Sequence, residues 1–308
     1  MNFLIVGFGA IGFRHYQALR SFSHDASIDV IDINPSCTSC IDDPYLSYIG
    51  SLCKPSTHYS IIVISSSANV RLQIVSSLAF SLVTSDLLIL EKVLVQDPQD
   101  MNELSTLAHS VSQHIYVNQW FRNFLLNNNI LEPDDLIHSA SLYGCDWGLL
   151  CNSLHFLDAF LFFAPPSFSS VSVSCADNTN VIETKRKGFY DVFGSFVLSS
   201  EYQTIHLSSI DSPSNISSLH LTLLLASHTS ISFTISRQYI SVCKDQKPFN
   251  LDPYKVSSEM LFVYQQFFNG NAICLPSLLE SIQSHHTLFS IVQAIPNFPI
   301  NDNSFLIT

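Results

Sequence analysis

The chain has 308 residues, a length that suits two cores better than one. Apolar residues make up 47% and charged residues 12%, a balance that excludes intrinsic disorder. The formal net charge of −12 argues against nucleic-acid binding and against docking on an anionic membrane.

Residues 2 to 6 form a continuous apolar run that ends at a glycine. That pattern predicts a fully buried parallel strand. A glycine-rich turn follows, and residues 11 to 22 carry apolar side chains at helical spacing. Residues 27 to 33 predict a second strand, closed by the turn signal Asn34-Pro35-Ser36. A strand is expected over 59–64, a helix over 70–80 and a strand over 86–90. A helix over 100–112 and a short strand over 114–118 come next. Strands alternating with helices predict a doubly wound parallel sheet, here a dinucleotide-binding Rossmann domain over residues 1–118.

After residue 118 the texture changes. Residues 127–129 and 132–135 read as a helix end and a loop. Stretches with partial alternation at 168–175, 192–200, 203–210, 217–225 and 229–236 predict a mostly antiparallel, open-faced sheet. Leu275-Pro276 opens a last helix to about residue 294. Residues 119–308 are thus expected to form an α+β domain.

The most apolar stretch, residues 154–166, contains His155 and Asp158 and is shorter than the roughly 18 residues of a membrane span. The first residues read as a strand and not as a signal peptide. The expected location is therefore cytoplasmic. The eight cysteines then read as free thiols. Cys37 and Cys40 form a lone C-x-x-C, whereas a closed zinc site needs four ligands, so no metal is expected.

Gly7-Phe8-Gly9-Ala10-Ile11-Gly12 is a G-x-G-x-x-G string between an apolar strand and a helix, the context in which it binds a dinucleotide. Gly7 permits the tight turn, Gly9 leaves room for the pyrophosphate, and Gly12 lets helix and strand pack closely. The amides of Ala10, Ile11 and Gly12 open the helix and face an anion. Asp32 lies 20 residues beyond Gly12, where a carboxylate accepts hydrogen bonds from the adenosine ribose. It would repel a 2′-phosphate, and no arginine follows it in Asn34-Pro35-Ser36. NAD is expected as cofactor, with NADP second.

The string continues into Phe13-Arg14-His15, and the whole resembles the opening of the Gfo/Idh/MocA family of NAD(P)-dependent sugar oxidoreductases. Further matches keep the family's order: Ser65-Ser66 after a strand, Glu91-Lys92 after the next, His155 and Asp158 as H-x-x-D, and Leu275-Pro276 with Glu280-Ser281 near the end. The resemblance implies that Ser65, Ser66, Glu91 and Lys92 contact the cofactor, and that the substrate is a sugar, sugar nucleotide or cyclitol. It also implies that residues 119–308 serve substrate binding and oligomerisation, as a homodimer or homotetramer. Four positions depart from the family: Arg71 in place of histidine, Val93 in place of proline, Cys151 in place of aspartate, and an altered string over Asn118 to Arg122.

Oxidising a secondary alcohol requires a hydride acceptor and a base. His155 is the candidate base, since imidazole titrates near neutrality. Asp158, one helical turn on, is placed to orient it. Lys92, at a strand end, is placed to bond the reacting hydroxyl. Each has a plainer reading: a satisfied helix histidine, and a lysine in solvent. Asn152 is either a ligand for a substrate hydroxyl or a helix cap. Trp147 is either a wall for a sugar ring or a core residue. Lys185 and Arg186, with Lys187, are either a solvated turn or a clamp on a sugar-nucleotide diphosphate. The function expected is NAD-dependent hydride transfer to or from such a substrate. The alternatives are redox-neutral chemistry with bound NAD, and a catalytically altered NAD-binding regulator or scaffold on the same fold.

Overall fold

A computed structural model describes residues 1–50, 55–164, 172–176, 179–211, 218–236, 239–251, 256–301 and 304–307. In chain order the elements are β1 (Asn2–Val6), α1 (Ala10–Phe22), β2 (Ser27–Ile31), β3 (Leu46–Tyr48), β4 (His58–Ile64), α2 (Ala68–Phe80), β5 (Thr84–Leu90), α3 (Asp100–Val111), β6 (Ile115–Val117) and α4 (Trp120–Asn127). They continue with β7 (Ile137–Cys145), α5 (Leu149–Phe162), β8 (Ser172–Cys175), β9 (Asn180–Glu183), β10 (Tyr190–Ser199), β11 (Thr204–Ile210), β12 (Leu219–Leu225), β13 (Ser230–Ile235), β14 (Ile240–Lys244), β15 (Lys247–Phe249), α6 (Val256–Phe268) and α7 (Leu278–Gln293).

The chain divides into two compact units. One comprises Met1–Asn123 with Lys255–Ile282, the other Phe124–Tyr254 with Gln283–Thr308. Residues 255–282 thus return to the first unit. The apolar spacing of α6 was not read as a helix in the sequence, and nothing in that spacing reveals which core it joins.

The first unit holds a six-stranded, all-parallel sheet in the order β3-β2-β1-β4-β5-β6. Its central strands β1, β4 and β5 end in runs of four buried residues each, as expected where helices cover both faces. The short β3 was not anticipated, and β2 stops at Ile31, two residues before the expected end. α6 packs in this unit's core through Met260, Val263 and Tyr264. The Phe268 ring stacks on Phe22 of α1 at a centroid distance of 5.3 Å.

The second unit holds a nine-stranded mixed sheet, ordered β15-β14-β13-β12-β7-β11-β10-β8, with β9 also paired to β10. Only the β7–β11 pairing is parallel; the other described pairings are antiparallel. On β7, Ala140 and Leu142 are buried while Ser141 and Tyr143 are exposed, so one face is packed and the other open. The expected strands at 168–175 and 217–225 lie partly outside the described residues; their described parts are β8 and β12.

Two glycines of the first loop make opposite demands. A Cβ on Gly12 would collide with the Gly7 carbonyl oxygen, whereas a Cβ on Gly9 would meet nothing within 4 Å. Gly12→Ala is therefore expected to lower stability by about 1–3 kcal/mol in urea unfolding, while Gly9→Ala leaves the midpoint almost unmoved. Equal midpoints for the two variants would contradict this packing.

Candidate functional site

The sheet order sets the ends of β2, β1, β4 and β5 side by side, and each end carries a residue singled out in the sequence. The hydrogen-bond ladder continues one residue past these strands. Gly7 N–H donates to Ile31 O at 2.8 Å, Ser65 N–H to Val6 O at 2.8 Å, and Glu91 N–H to Ile64 O at 3.0 Å. The loops therefore leave the sheet from fixed positions, at the carboxyl edge where open α/β sheets bind ligands.

Gly7 has φ +89°, and a Cβ there would also strike the backbone of Ser65 and Ser66. Its carbonyl accepts the Ser65 hydroxyl at 2.5 Å, which ties the glycine loop to the loop after β4. Gly9 caps α1 with no side-chain hydrogen bond, and the first turn of α1 holds no acidic residue. Phe13 N–H makes the first intrahelical bond, to Gly9 O at 2.9 Å, so the amides of Ala10, Ile11 and Gly12 precede it. Gly9, Ala10 and Ile11 are exposed. A bare-backbone hollow at a helix N-terminus fits a pyrophosphate.

Asp32 lies just past β2. Its two carboxylate oxygens accept the Phe8 amide at 2.5 Å and the Asn34 amide at 2.8 Å. The carboxylate is thereby held against the glycine loop, half-buried, with lone pairs left over for ribose hydroxyls.

Arg71 on α2 is among the largest fully buried side chains of the fold, at 1% exposure. Its guanidinium donates to the carbonyls of Ser66, Val93 and Leu94. It therefore ties the loop after β4 to the loop after β5. The Lys92–Val93 peptide is cis. Lys92 is half-buried and Ser66 lies beside Ser65 in the first of these loops.

Glu91 is buried. It accepts His15 Nε2 at 2.8 Å and Asn118 Nδ2 at 2.6 Å. His15 Nδ1 lies 2.8 Å from the Tyr264 hydroxyl. Burial pushes the Glu91 carboxyl up, but the His15 hydrogen bond, the Asn118 amide and the Lys92 cation outweigh it. The result is a carboxylate below the ordinary glutamate range.

The sequence's late motif is a structural device in this unit. Ser277 and Glu280 form a capping box at the start of α7, with Ser277 N–H and Oγ donating to Glu280 Oε2 at 2.8 and 2.7 Å. Glu280 also takes both terminal nitrogens of buried Arg122, at 2.8 and 3.3 Å.

In the second unit, α5 carries Asn152, His155 and Asp158. His155 is half-buried and Asp158 is buried, three residues apart and so on one helical face. Gly148, in the left-handed region, is the N-cap of α5. Asn152 sits in the first turn instead of at the cap, and its amide donates to Trp147 O at 2.6 Å. Trp147 is 8% exposed and donates its indole N–H to Ser208 O at 2.9 Å, so most of its surface is spent inside its own unit. Lys185, Arg186 and Lys187 are exposed in the turn between β9 and β10, with the Arg186 guanidinium 4.9 Å from the Phe189 ring centre.

Sequence reasoning missed Asp191. This buried carboxylate of β10 accepts the Leu150 amide at 2.9 Å and so fixes the start of α5. Its signal is an acid alone in the apolar run Tyr190 to Phe193. Tyr264 was also missed, because its partner lies 249 residues away. The seven described cysteines form no disulfide with one another, and Cys53 lies outside the described residues. Among the described residues no group of three or more His, Cys, Asp or Glu is placed to hold a metal ion.

The sheet order, the glycine cradle and the carboxylate at the end of β2 define a dinucleotide-binding fold. The sequence matches no protein-family profile and no curated protein. Solved structures do match. The dehydrogenase MviM from Clostridium difficile is 14% identical with a TM-score of 0.67, over 96% of this chain and 99% of that one. The WlbA dehydrogenase from Chromobacterium violaceum, solved with NADH and UDP-GlcNAcA, is 14% identical with a TM-score of 0.63, over 96% and 93%. Biliverdin reductase from Synechocystis, solved with biliverdin and NADP+, is 10% identical with a TM-score of 0.65, over 95% and 98%. The chain shares the fold of these solved structures along nearly its whole length.

Because the folded Glu91 pKa is depressed, its stabilisation is full above the unfolded value near 4.5 and drains as pH falls through the folded value. Urea unfolding of wild type should weaken below that pH more steeply than unfolding of Glu91→Gln. Superimposable pH profiles for the two proteins would contradict the assignment.

Proposed function

We propose that this chain is an NAD-dependent oxidoreductase that moves a hydride between a nicotinamide and a secondary alcohol or ketone of a sugar, sugar nucleotide or cyclitol. The observation that carries the reading is the bare cradle at Gly9, with Asp32 pinned beside it by the Phe8 amide. The solved dehydrogenases of the same fold support it, one of them holding NADH and a sugar nucleotide.

Gly7, Gly9 and the amides of Ala10, Ile11 and Gly12 would bind the pyrophosphate, and Asp32 the adenosine ribose. Asp32 favours NAD over NADP by charge. Ser65, Ser66, Glu91 and Lys92 would line the nicotinamide half. A bound nicotinamide supplies the hydride acceptor. His155 takes the hydroxyl proton, and Asp158 orients its imidazole. The Lys92 ammonium donates a hydrogen bond to the reacting oxygen and stabilises its developing negative charge. Asn152 would bond a substrate hydroxyl through its side-chain amide, and the exposed cations of Lys185 and Arg186 suit a diphosphate. Trp147 would contribute a ring edge at most, given its burial.

No helix among the described residues is long and apolar enough to cross a membrane. A cytoplasmic location belongs to the same reading. Pairing of two or four copies through the open face of the second unit's sheet is the assembly the family resemblance favours. A regulator on the same fold is the second reading. Val93 and Cys151, which replace the proline and aspartate of the resembled motifs, favour it.

NADH absorbance with a panel of sugars, sugar nucleotides and cyclitols tests the activity. Turnover is expected with at least one, and His155→Ala or Lys92→Ala should lower it about 100-fold or more. Near-normal turnover in both variants would remove these two residues from the mechanism. NAD binding without turnover across the panel would favour the regulator.

A further inference from the structure

The buried row Tyr264–His15–Glu91 ends beside Lys92 and begins on a helix that returns to the first unit after residues 124–254 of the second. We propose that Tyr264, acting through His15, is a positioning residue for the Glu91–Lys92 turn and hence for the nicotinamide end of a bound dinucleotide. The proposal rests on the dinucleotide reading above.

Ionised Glu91 can only accept, so in the neutral imidazole His15 carries its proton on Nε2. Nδ1 then accepts the Tyr264 hydroxyl. Each bond fixes the next. Oε1 of Glu91 takes two donors, while Oε2 takes no hydrogen bond among the described residues and stays available beside Lys92. Tyr264 and His15 are 0% and 1% exposed, so neither polar group is there for solvent. Burial and the Glu91 charge hold the Tyr264 hydroxyl protonated, well above the ordinary tyrosine value. A phenylalanine would serve the apolar contacts of Tyr264, including the Phe22 ring at 6.3 Å. The hydroxyl has a different reason, and its partner is His15. Without it Nδ1 is left buried with no donor, the ring loses the bond that sets its tilt, and Glu91 loses a fixed partner.

Calorimetry on the full chain with NAD and with ADP-ribose, which lacks the nicotinamide, separates this role from a structural one. Tyr264→Phe and Glu91→Gln should each weaken NAD about tenfold and leave ADP-ribose within about twofold of wild type. Equal losses for both ligands, or no loss for either, would overturn the role of Tyr264. Nitrogen-15 spectra of the histidine rings, with His15 assigned through His15→Gln, should show the Nε2–H tautomer in wild type. The Nδ1–H tautomer would overturn the proposal even if a variant failed to fold. Wild type that binds neither ligand would sink the dinucleotide reading, and this role with it, whereas NAD binding with unchanged ligand discrimination in the variants sinks this role alone.

Discussion

The approach of α1 to the strand ends is set by one contact, that of Gly12 against the Gly7 carbonyl. Any side chain at residue 12 would push the helix away and carry its first amides with it. The carbonyl is itself held by the Ser65 hydroxyl, so the glycine loop and the loop after β4 form one piece. Asp32 closes the third side by accepting the Phe8 amide. The cradle is therefore preorganised by groups that touch each other, and a ligand need not order it. Binding then avoids the entropy cost of fixing a mobile loop.

The other half of this edge is held by buried charge. Arg71 crosslinks two loops through three carbonyls, and Glu91 anchors the end of β5 through His15 and Asn118. Burying these groups is costly unless their polar atoms are met, and here several carbonyls and amides meet them. Arg122, also buried, is met by the Cys274 carbonyl and the exposed Glu280 carboxylate where α7 begins. Arg71, Glu91, Arg122 and Glu280, which depart from or lie within the resembled motifs, thus have local structural work in this chain.

The parallel sheet was legible because buried parallel strands are uninterrupted apolar runs, as in Ile61 to Ile64. The motif residues were legible because glycine and a spaced acid leave a mark on sequence. Topology that depends on distant contacts left none: Tyr264 looks like any apolar-helix tyrosine until it is paired with His15, and Asp191 looks like a stray acid until α5 starts on it. Trp147, for which the sequence leaves a binding wall and a core role open, is 8% exposed and donates its indole N–H to Ser208 O. The short β3 is three residues long, too brief for any period to register.

The account makes the first unit a receptor for a dinucleotide before anything else. Calorimetric titration of the purified chain with NAD and NADP measures this directly. The account predicts saturable NAD binding, weaker NADP binding because of the Asp32 carboxylate, and loss of both in Gly9→Val, where a side chain fills the hollow. Absence of binding to either dinucleotide by the wild-type chain would contradict it.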